Sequence, residues 1–334
     1  MKVLFIGGTG ILSSACAVRA LEKGMELTMI NRGQSIRKPP AGTEILRADI
    51  NDLSSLQAVL VGRDFDVVVD WIAFTPDQVQ RDLDIFSGKT GQYVFISSAS
   101  AYQTPAANLP IRESTPLDNP IWEYSRNKIA CEELLLQAYR QSKFPYTIVR
   151  PSHTYDRCSV PVEGGYTVID RMLKSKPILV HGDGTSIWTL THNTDFAKGF
   201  VGLLGNPRAF GESFHITSDE WLTWDQIHRI LAKAAGVEAQ IVHVPSEIIA
   251  RYDKRIGDSL LGDKTHSAIF DNSKIKQLVP EFIITTPFAR GAEEILAWHQ
   301  ADPARQQINP AFNTLCDTLL TDYQKAWALA PESR

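Results

Sequence analysis

The stretch Lys2-Val3-Leu4-Phe5-Ile6-Gly7-Gly8-Thr9-Gly10 decides the fold. Its first residues are a short apolar run of strand type, the glycines follow at once, and residues 11–23 read as a helix. A strand, a Gly-rich turn and a helix in that order leave free backbone N–H groups at a helix N-terminus. Gly7 and Gly10 permit the turn and the close approach of a pyrophosphate there. A third glycine of the dinucleotide fingerprint is missing, and Ser13 stands in its place, small enough for the helix to pack near the strand. The expectation is a dinucleotide-binding turn, with Ile11 and Leu12 opening the helix beside the cofactor.

Further along, residues 25–31, Glu44–Arg47 and 66–70 read as strands, with helical segments near 52–61 and 77–87. Alternating helices and near-continuous apolar strands argue an α/β fold with a doubly wound parallel sheet, covered on both faces. From about residue 151 the rhythm becomes irregular, punctuated by Gly164-Gly165, Gly182-Asp183-Gly184 and Pro245. Residues 310–329 carry Phe312, Leu315, Leu319, Tyr323 and Trp327 at helical spacing, which predicts a helix docked on the body of the protein. No internal repeat or low-complexity segment appears.

With 334 residues, 43% of them hydrophobic, the chain has room for one large α/β domain and a smaller appended lobe. Cys16, Cys131, Cys158 and Cys316 are scattered without metal or redox spacing, so reduced thiols and no metal site are expected. The apolar run at the start is too short for a signal sequence, and no stretch of about 20 apolar residues occurs elsewhere. A cytoplasmic protein without membrane association is the expectation. A net charge of −4 with no block of lysines or arginines argues against a nucleic-acid partner.

Glu123-Tyr124-Ser125-Arg126-Asn127-Lys128 carries the chemistry. Tyr124 and Lys128, four apart on a helix, lie on one face, where the cation favours the phenolate. A phenol of pKa about 10 must drop by roughly three units to exchange protons near neutral pH, about 4 kcal/mol of differential stabilisation, expected from one lysine together with an oxidised nicotinamide.

In this order along the chain, these features resemble the extended short-chain dehydrogenases/reductases of NAD-dependent epimerase/dehydratase type. Gly7-Gly8-Thr9-Gly10 looks like that family's cofactor turn. Tyr93-Val94-Phe95-Ile96-Ser97-Ser98-Ala99-Ser100-Ala101-Tyr102 looks like its fifth strand, which makes Ser98 the third catalytic residue beside Tyr124 and Lys128. Ile148-Val149-Arg150-Pro151 resembles the following strand, and Phe270-Asp271-Asn272-Ser273-Lys274 through Thr286-Pro287-Phe288 the C-terminal segment. The resemblance implies a Rossmann domain over 1–155, with a segment near 178–205 returning to it. It also implies an interleaved substrate lobe mainly over 156–300, followed by a C-terminal helical extension over 301–334.

The end of the second strand selects the cofactor. Asn31 offers no carboxylate for ribose hydroxyls and Arg32 offers a cation, with Arg37 and Lys38 soon after, so NADP is favoured over NAD. Arg32 stacked on adenine, or merely solvated, is the alternative. Asp49 resembles the position that meets the adenine, its alternative being a helix N-cap, and the resemblance sets the Ala73 backbone beside the cofactor. The implied mechanism is hydride exchange. Tyr124 moves the substrate proton, Lys128 holds the ribose and lowers the phenol pKa, and Ser98 hydrogen-bonds the reacting oxygen.

Departures from the family pattern narrow the chemistry. Ala99 and Ser100 stand where 4,6-dehydratases place an acid pair, so that dehydration is not expected. The stretch after Gly182-Asp183-Gly184 matches the family's at His192 and Asp195, with His192 read as a structural hydrogen-bonder. The usual diphosphate-clamping arginine is Trp188, and a usual asparagine is His153. Trp188 and His153 suit a bare sugar or small polyol. Alternatively they are packing residues, and Arg157 or Arg171 serves a diphosphate. The expected function is an NAD(P)-dependent epimerase or oxidoreductase acting on an alcohol or keto carbon of a sugar-like small molecule. The rivals are an NADP-dependent reductase of a small non-nucleotide carbonyl or polyol, and a non-catalytic dinucleotide sensor or RNA-binding relative. A homodimer through the Tyr/Lys helix is expected, with Ile129, Leu134, Leu135 and Ala138 on its face or packed on the sheet.

Overall fold

Lys2–Ile6 forms β1 and Ile11–Glu22 forms α1, in a computed structural model that describes residues 1–328. The chain then runs through β2 (Glu26–Asn31), β3 (Glu44–Arg47), α2 (Leu53–Leu60), β4 (Phe65–Asp70), α3 (Pro76–Phe86) and β5 (Thr90–Ile96). After α4 (Glu123–Ser142) it adds β6 (Tyr146–Pro151). Next come β7 (His153–Tyr155), α5 (Tyr166–Leu173), β8 (Ile178–His181), β9 (Ile187–Trp188), β10 (Leu190–His192), α6 (Asn193–Val201) and β11 (Glu212–Ile216). β11 returns to the edge of the main sheet, whose order is β11-β6-β5-β4-β1-β2-β3 with every pairing parallel. Strands reverse direction of progression at β1, the switch point where a doubly wound fold opens a crevice for its ligand.

Both faces of that sheet are covered, which is why its strands are apolar throughout rather than alternating. Val3 and Phe5 point to one face, onto Cys16, Ala17 and Ala20 of α1 and Phe196 and Phe200 of α6. Leu4 and Ile6 point to the other, onto Leu56 of α2, Leu83 of α3 and Leu135 of α4. Leu135 therefore belongs to the core and is withdrawn from the dimer face on which it was an option.

The fifth strand ends at Ile96 instead of running on to Tyr102, and Ala99–Ala101 form a 3-10 turn. The hydroxyl of Ser98 causes this by accepting the Ser100 N–H, which diverts the backbone from strand geometry. Asp49 is not a helix cap. Its carboxylate accepts the Asn51 N–H, and the cap of α2 is Asp52, which takes the N–H groups of Ser54 and Ser55.

A third apolar core lies outside the main sheet. It is built on α7 (Trp224–Ala234), α8 (Ser246–Tyr252), α11 (Phe288–Gln300) and α12 (Pro310–Ala328), with β12 (Leu222–Thr223) and β13 (Ile241–Val244) pairing β9 and β8. Phe312, Cys316, Leu319 and Leu320 of α12 are buried in it, and the guanidinium of buried Arg171 donates to Asn313 and Asp317. The expected docked helix is thus present, while the side chain of Trp327 and residue Leu329 lie outside the described residues. No helix among the described residues is long and apolar enough to cross a membrane.

Candidate active site

The glycine turn is shaped for close approach. Gly7 and Gly8 adopt φ of +100° and +90°, open to glycine and strained for other residues. A Cβ on Gly7 would sit 3.1 Å from Ile72 Cγ2, and one on Gly8 2.7 Å from Met29 Sδ. The Gly10 N–H is taken by Ser13 Oγ at 2.8 Å, so the serine that replaces the third glycine fastens the turn to the helix start. Ile11 and Leu12 follow as the first residues of α1.

At the end of β2 the Asn31 Oδ1 accepts the Gly33 N–H and an Arg47 N–H, while its buried Nδ2 has no partner. Arg32 stays mostly exposed, with Nη1 3.8 Å from Asp49. These features, together with the glycine cradle, fit a dinucleotide with its adenosine end over Asn31, Arg32 and Asp49.

The next strand ends position Lys128 and Tyr124. Asp70 Oδ1 accepts the Ile72 N–H at 2.6 Å and turns the chain so that the Ala73 carbonyl faces α4. Lys128 Nζ donates to that carbonyl and to Ile96 O, both at 2.7 Å. Burial lowers its pKa to about 8. Tyr124, one turn earlier, is flanked by Trp122 and Phe74, with ring centroids at 4.9 and 6.3 Å. Burial raises its phenol pKa, a hydrogen bond with Ser98 opposes that, and the charge of Asp263 adds to it. The ammonium lies 5.8 Å from the ring centre, anchored to backbone oxygens, and desolvation of the phenol dominates.

Beneath this centre, Glu132 accepts from Ser97 Oγ at 2.5 Å and from Arg150 Nε at 2.9 Å, a buried network that locks α4 to β5 and β6. Ser98 Oγ lies 2.9 Å from Ser100 Oγ, which in turn accepts from Ser125.

Ser98 and Tyr124 open into a cavity of about 300 Å³ that His153 and Trp188 also line. His153 is held neutral, its pKa pushed by burial to about 3. Trp188 is 3% exposed and its indole N–H has no acceptor. The same cavity takes Asp263 and Lys264 from a π-helical turn, Leu260–Lys264, which follows α9 (Lys254–Ser259). These two residues escaped sequence reasoning. No periodicity marks a one-residue helical bulge, although such bulges cluster at functional sites.

Neither arginine proposed as a diphosphate partner reaches this cavity. Arg171 is consumed by Pro177 O, Asn313 and Asp317, and Arg157 lines a separate groove of about 1430 Å³. That larger groove contains none of Ser98, Tyr124 and Lys128. It is bordered by Arg37, which donates to Asp156 at 2.7 Å, so the loop after β2 is tied across to the segment after β7. His192 lines this groove too. Its Nδ1 lies 2.7 Å from Thr194 Oγ1, at the head of α6. Asp195 accepts from Lys198, Thr285 and Thr286.

Comparison with known proteins agrees with this fold. The model of the NAD dependent epimerase/dehydratase family matches residues 3–217. The chain is 30% identical over 258 residues to the chloroplast stem-loop binding protein of 41 kDa b of Arabidopsis thaliana, across 72% of this chain and 65% of that protein. It is 25% identical over 287 residues to 2'-dehydrokanamycin reductase of Streptomyces kanamyceticus, across 84% of this chain and 80% of that protein. Among solved structures, UDP-glucuronic acid 4-epimerase from Bacillus cereus, in complex with UDP-glucuronic acid and NAD, superposes with a TM-score of 0.71 at 20% identity. That match covers 90% of this chain and 99% of the other.

Proposed function

Since the chain belongs to the NAD dependent epimerase/dehydratase family, we propose that it is an NAD(P)-dependent oxidoreductase acting on an alcohol or keto carbon of a sugar-sized substrate without a nucleotide. The observation that carries this reading is the convergence of Ser98 and Tyr124 on one cavity of about 300 Å³. That volume stands at the lower end of ligand cavities, roughly 300–1,000 Å³, room for a sugar ring rather than a sugar nucleotide. Trp188 and His153 stand in its wall and no arginine does. Likeness to 2'-dehydrokanamycin reductase over most of the chain points the same way.

In this reading Tyr124 exchanges a proton with the substrate oxygen while the Ser98 hydroxyl holds that oxygen in place. Lys128 keeps positive charge beneath the phenol and holds the ribose, and Ala73 meets the cofactor through its backbone. When bound, the dinucleotide supplies or takes up the hydride. Gly7, Gly10, Ile11 and Leu12 hold its pyrophosphate, and Asn31, Arg32 and Asp49 its adenosine end. NADP is favoured by the orphaned Asn31 donor beside Arg32 and Arg47. The protein acts as a cytoplasmic homodimer, assembled through the outer faces of α3 and α4.

The test is a fluorescence titration with NADPH and NADH, followed by NADPH oxidation against a panel of keto sugars by the wild type and Tyr124→Phe. Tight dinucleotide binding and Tyr124-dependent turnover are expected, and a protein that binds neither dinucleotide overturns the reading. Deuterium from labelled NADPH ends in released product for a net reductase and is recycled for an epimerase.

A second reading, binding of a structured RNA, draws on the likeness to the stem-loop binding protein. Affinity for an RNA hairpin that falls steeply with salt would favour it.

A further inference from the structure

We propose that Ser100 is a positioning residue for Ser98: with Ser125 behind it, it fills the acceptor sites of the Ser98 oxygen, so that the Ser98 hydroxyl acts only as a donor, towards Tyr124 and the substrate oxygen. This rests on reading Ser98 and Tyr124 as the reacting pair.

A serine hydroxyl carries one proton and two lone pairs, and a free rotor offers either. An oxygen that gains negative charge during ketone reduction is stabilised by the proton alone. The neighbours of Ser98 decide which is offered. Its Oγ accepts the Ser100 N–H at 3.2 Å and lies 2.9 Å from Ser100 Oγ, a contact that distance alone leaves without direction. Direction comes from one residue further back. Ser125 Oγ, in a fully buried residue, donates to Ser100 Oγ at 2.8 Å. Among the described residues the Ser100 oxygen has only Ser98 Oγ as a further hydrogen-bond partner, so its proton goes there. Ser98 then receives both an N–H and an O–H from Ser100. What remains is its own proton, and Tyr124, which lines the same cavity, is hydrogen-bonded to it.

This order is built into rigid elements. Ser100 sits in the 3-10 turn after β5, and its carbonyl is held at 3.0 Å by Nδ2 of Asn119, a residue only 2% exposed. The same amide holds the Gly262 carbonyl, and Asn119 Oδ1 accepts the N–H of Trp122, the residue that opens α4. Ser100 is thereby fixed against the helix that carries Tyr124, Ser125 and Lys128.

The bonds from Ser125 to Ser100 to Ser98 run head to tail, and hydrogen bonds aligned in this way polarise one another by about 10–30% each. Ser98 therefore presents a strengthened donor that need not reorient when the substrate oxygen becomes charged. Hydride reaches the carbon and Tyr124 gives its proton to the oxygen, while all three serines keep theirs. Ser100 stands where 4,6-dehydratases carry part of an acid pair, and in this chain that position orients a proton instead of exchanging one.

The experiment follows NADPH oxidation with dihydroxyacetone, D-fructose and D-xylulose as keto-sugar probes. Ser100→Ala should lower kcat about ten-fold with KM and NADPH affinity within about two-fold of wild type, and Ser100→Thr, which keeps the hydroxyl, should recover most of the loss. Because Ser100 acts through Ser98, adding Ser100→Ala to Ser98→Ala should slow the enzyme by less than about two-fold further. A full second loss in that double variant, or an unchanged kcat in Ser100→Ala, overturns the proposal. Neutron diffraction from deuterium-exchanged wild-type crystals reads the same order without substrate or variant. A Ser98 deuteron directed at Tyr124 supports it, and one directed at Ser100 overturns it. Wild type that oxidises NADPH with none of the three probes overturns the oxidoreductase reading and this proposal together, whereas a full second loss with wild-type turnover intact overturns this proposal alone.

Discussion

The ammonium of Lys128 sits 5.8 Å from the centre of the Tyr124 ring and is tied by two 2.7 Å hydrogen bonds to the carbonyls of Ala73 and Ile96. It is therefore a fixed charge beneath the phenol, not a hydrogen-bond donor to the phenol oxygen. Its position is set by strand ends, so its influence on Tyr124 is a matter of field strength and of whether it is protonated.

That leads to a pH dependence. Burial brings the Lys128 pKa to about 8, below its ordinary 10.5, so the positive charge under Tyr124 disappears as pH rises through about 8. A kcat/KM profile should fall above that pH, and Lys128→Met should remove the falling limb along with most of the activity. The sign for stability is opposite. Between about 8 and 10.5 the unfolded chain holds more protons than the folded one, so this residue makes urea stability rise with pH across that window.

Tyr124→Phe removes the proton-exchanging group and keeps the ring between Trp122 and Phe74. Turnover should drop by roughly 10²- to 10⁴-fold. NADPH affinity, read by fluorescence, should stay within about two-fold, because the phenol oxygen contributes to proton exchange rather than to cofactor retention.

Gly7→Ala forces a Cβ into a φ of +100° and to within 3.1 Å of Ile72 Cγ2. The expected cost is about 1–2 kcal/mol in urea unfolding, with dinucleotide affinity falling more than about ten-fold. An unchanged NADPH titration would show that the turn does not meet the cofactor.

Asn31→Asp combined with Arg32→Ala converts a donor-rich end of β2 into an acceptor for ribose hydroxyls. The ratio of NADPH to NADH affinity should fall by at least about ten-fold, measured side by side in fluorescence titrations. A parent protein that prefers NADH would reverse the reading of Asn31.

Arg150→Met strips the cation from Glu132, which keeps only the Ser97 hydroxyl inside a buried site. Unfolding in urea at neutral pH should show a loss of about 3–5 kcal/mol, typical of a buried carboxylate left without its partner.

Much of this was legible in the chain. The apolar runs at β1, β2 and β4 and the glycines at 7 and 10 read correctly because a doubly covered parallel strand and a tight turn each demand a narrow set of residues. Ser98, Tyr124, His153 and Trp188 line one cavity. What escaped was tertiary. The strand carrying Ser98 stops early because a hydroxyl competes for the backbone, and the cap of α2 is Asp52 rather than Asp49. Burial raises the Tyr124 pKa, an effect of side chains distant in sequence. Asp263 and Lys264 arrive through a helical bulge, for which no local signal exists.

The placement of α12 bears on how the protein is made. Phe312, Cys316, Leu319 and Leu320 complete a core whose other members precede them in the chain, whereas the main sheet closes when β11 pairs with β6 near residue 216. During synthesis the parallel sheet and its glycine turn can therefore assemble about a hundred residues before α12 emerges from the ribosome. A nascent or truncated chain would first be a nucleotide-ready platform with an unsealed upper chamber, greasy on its unfinished side and dependent on chaperones until the closing helix arrives.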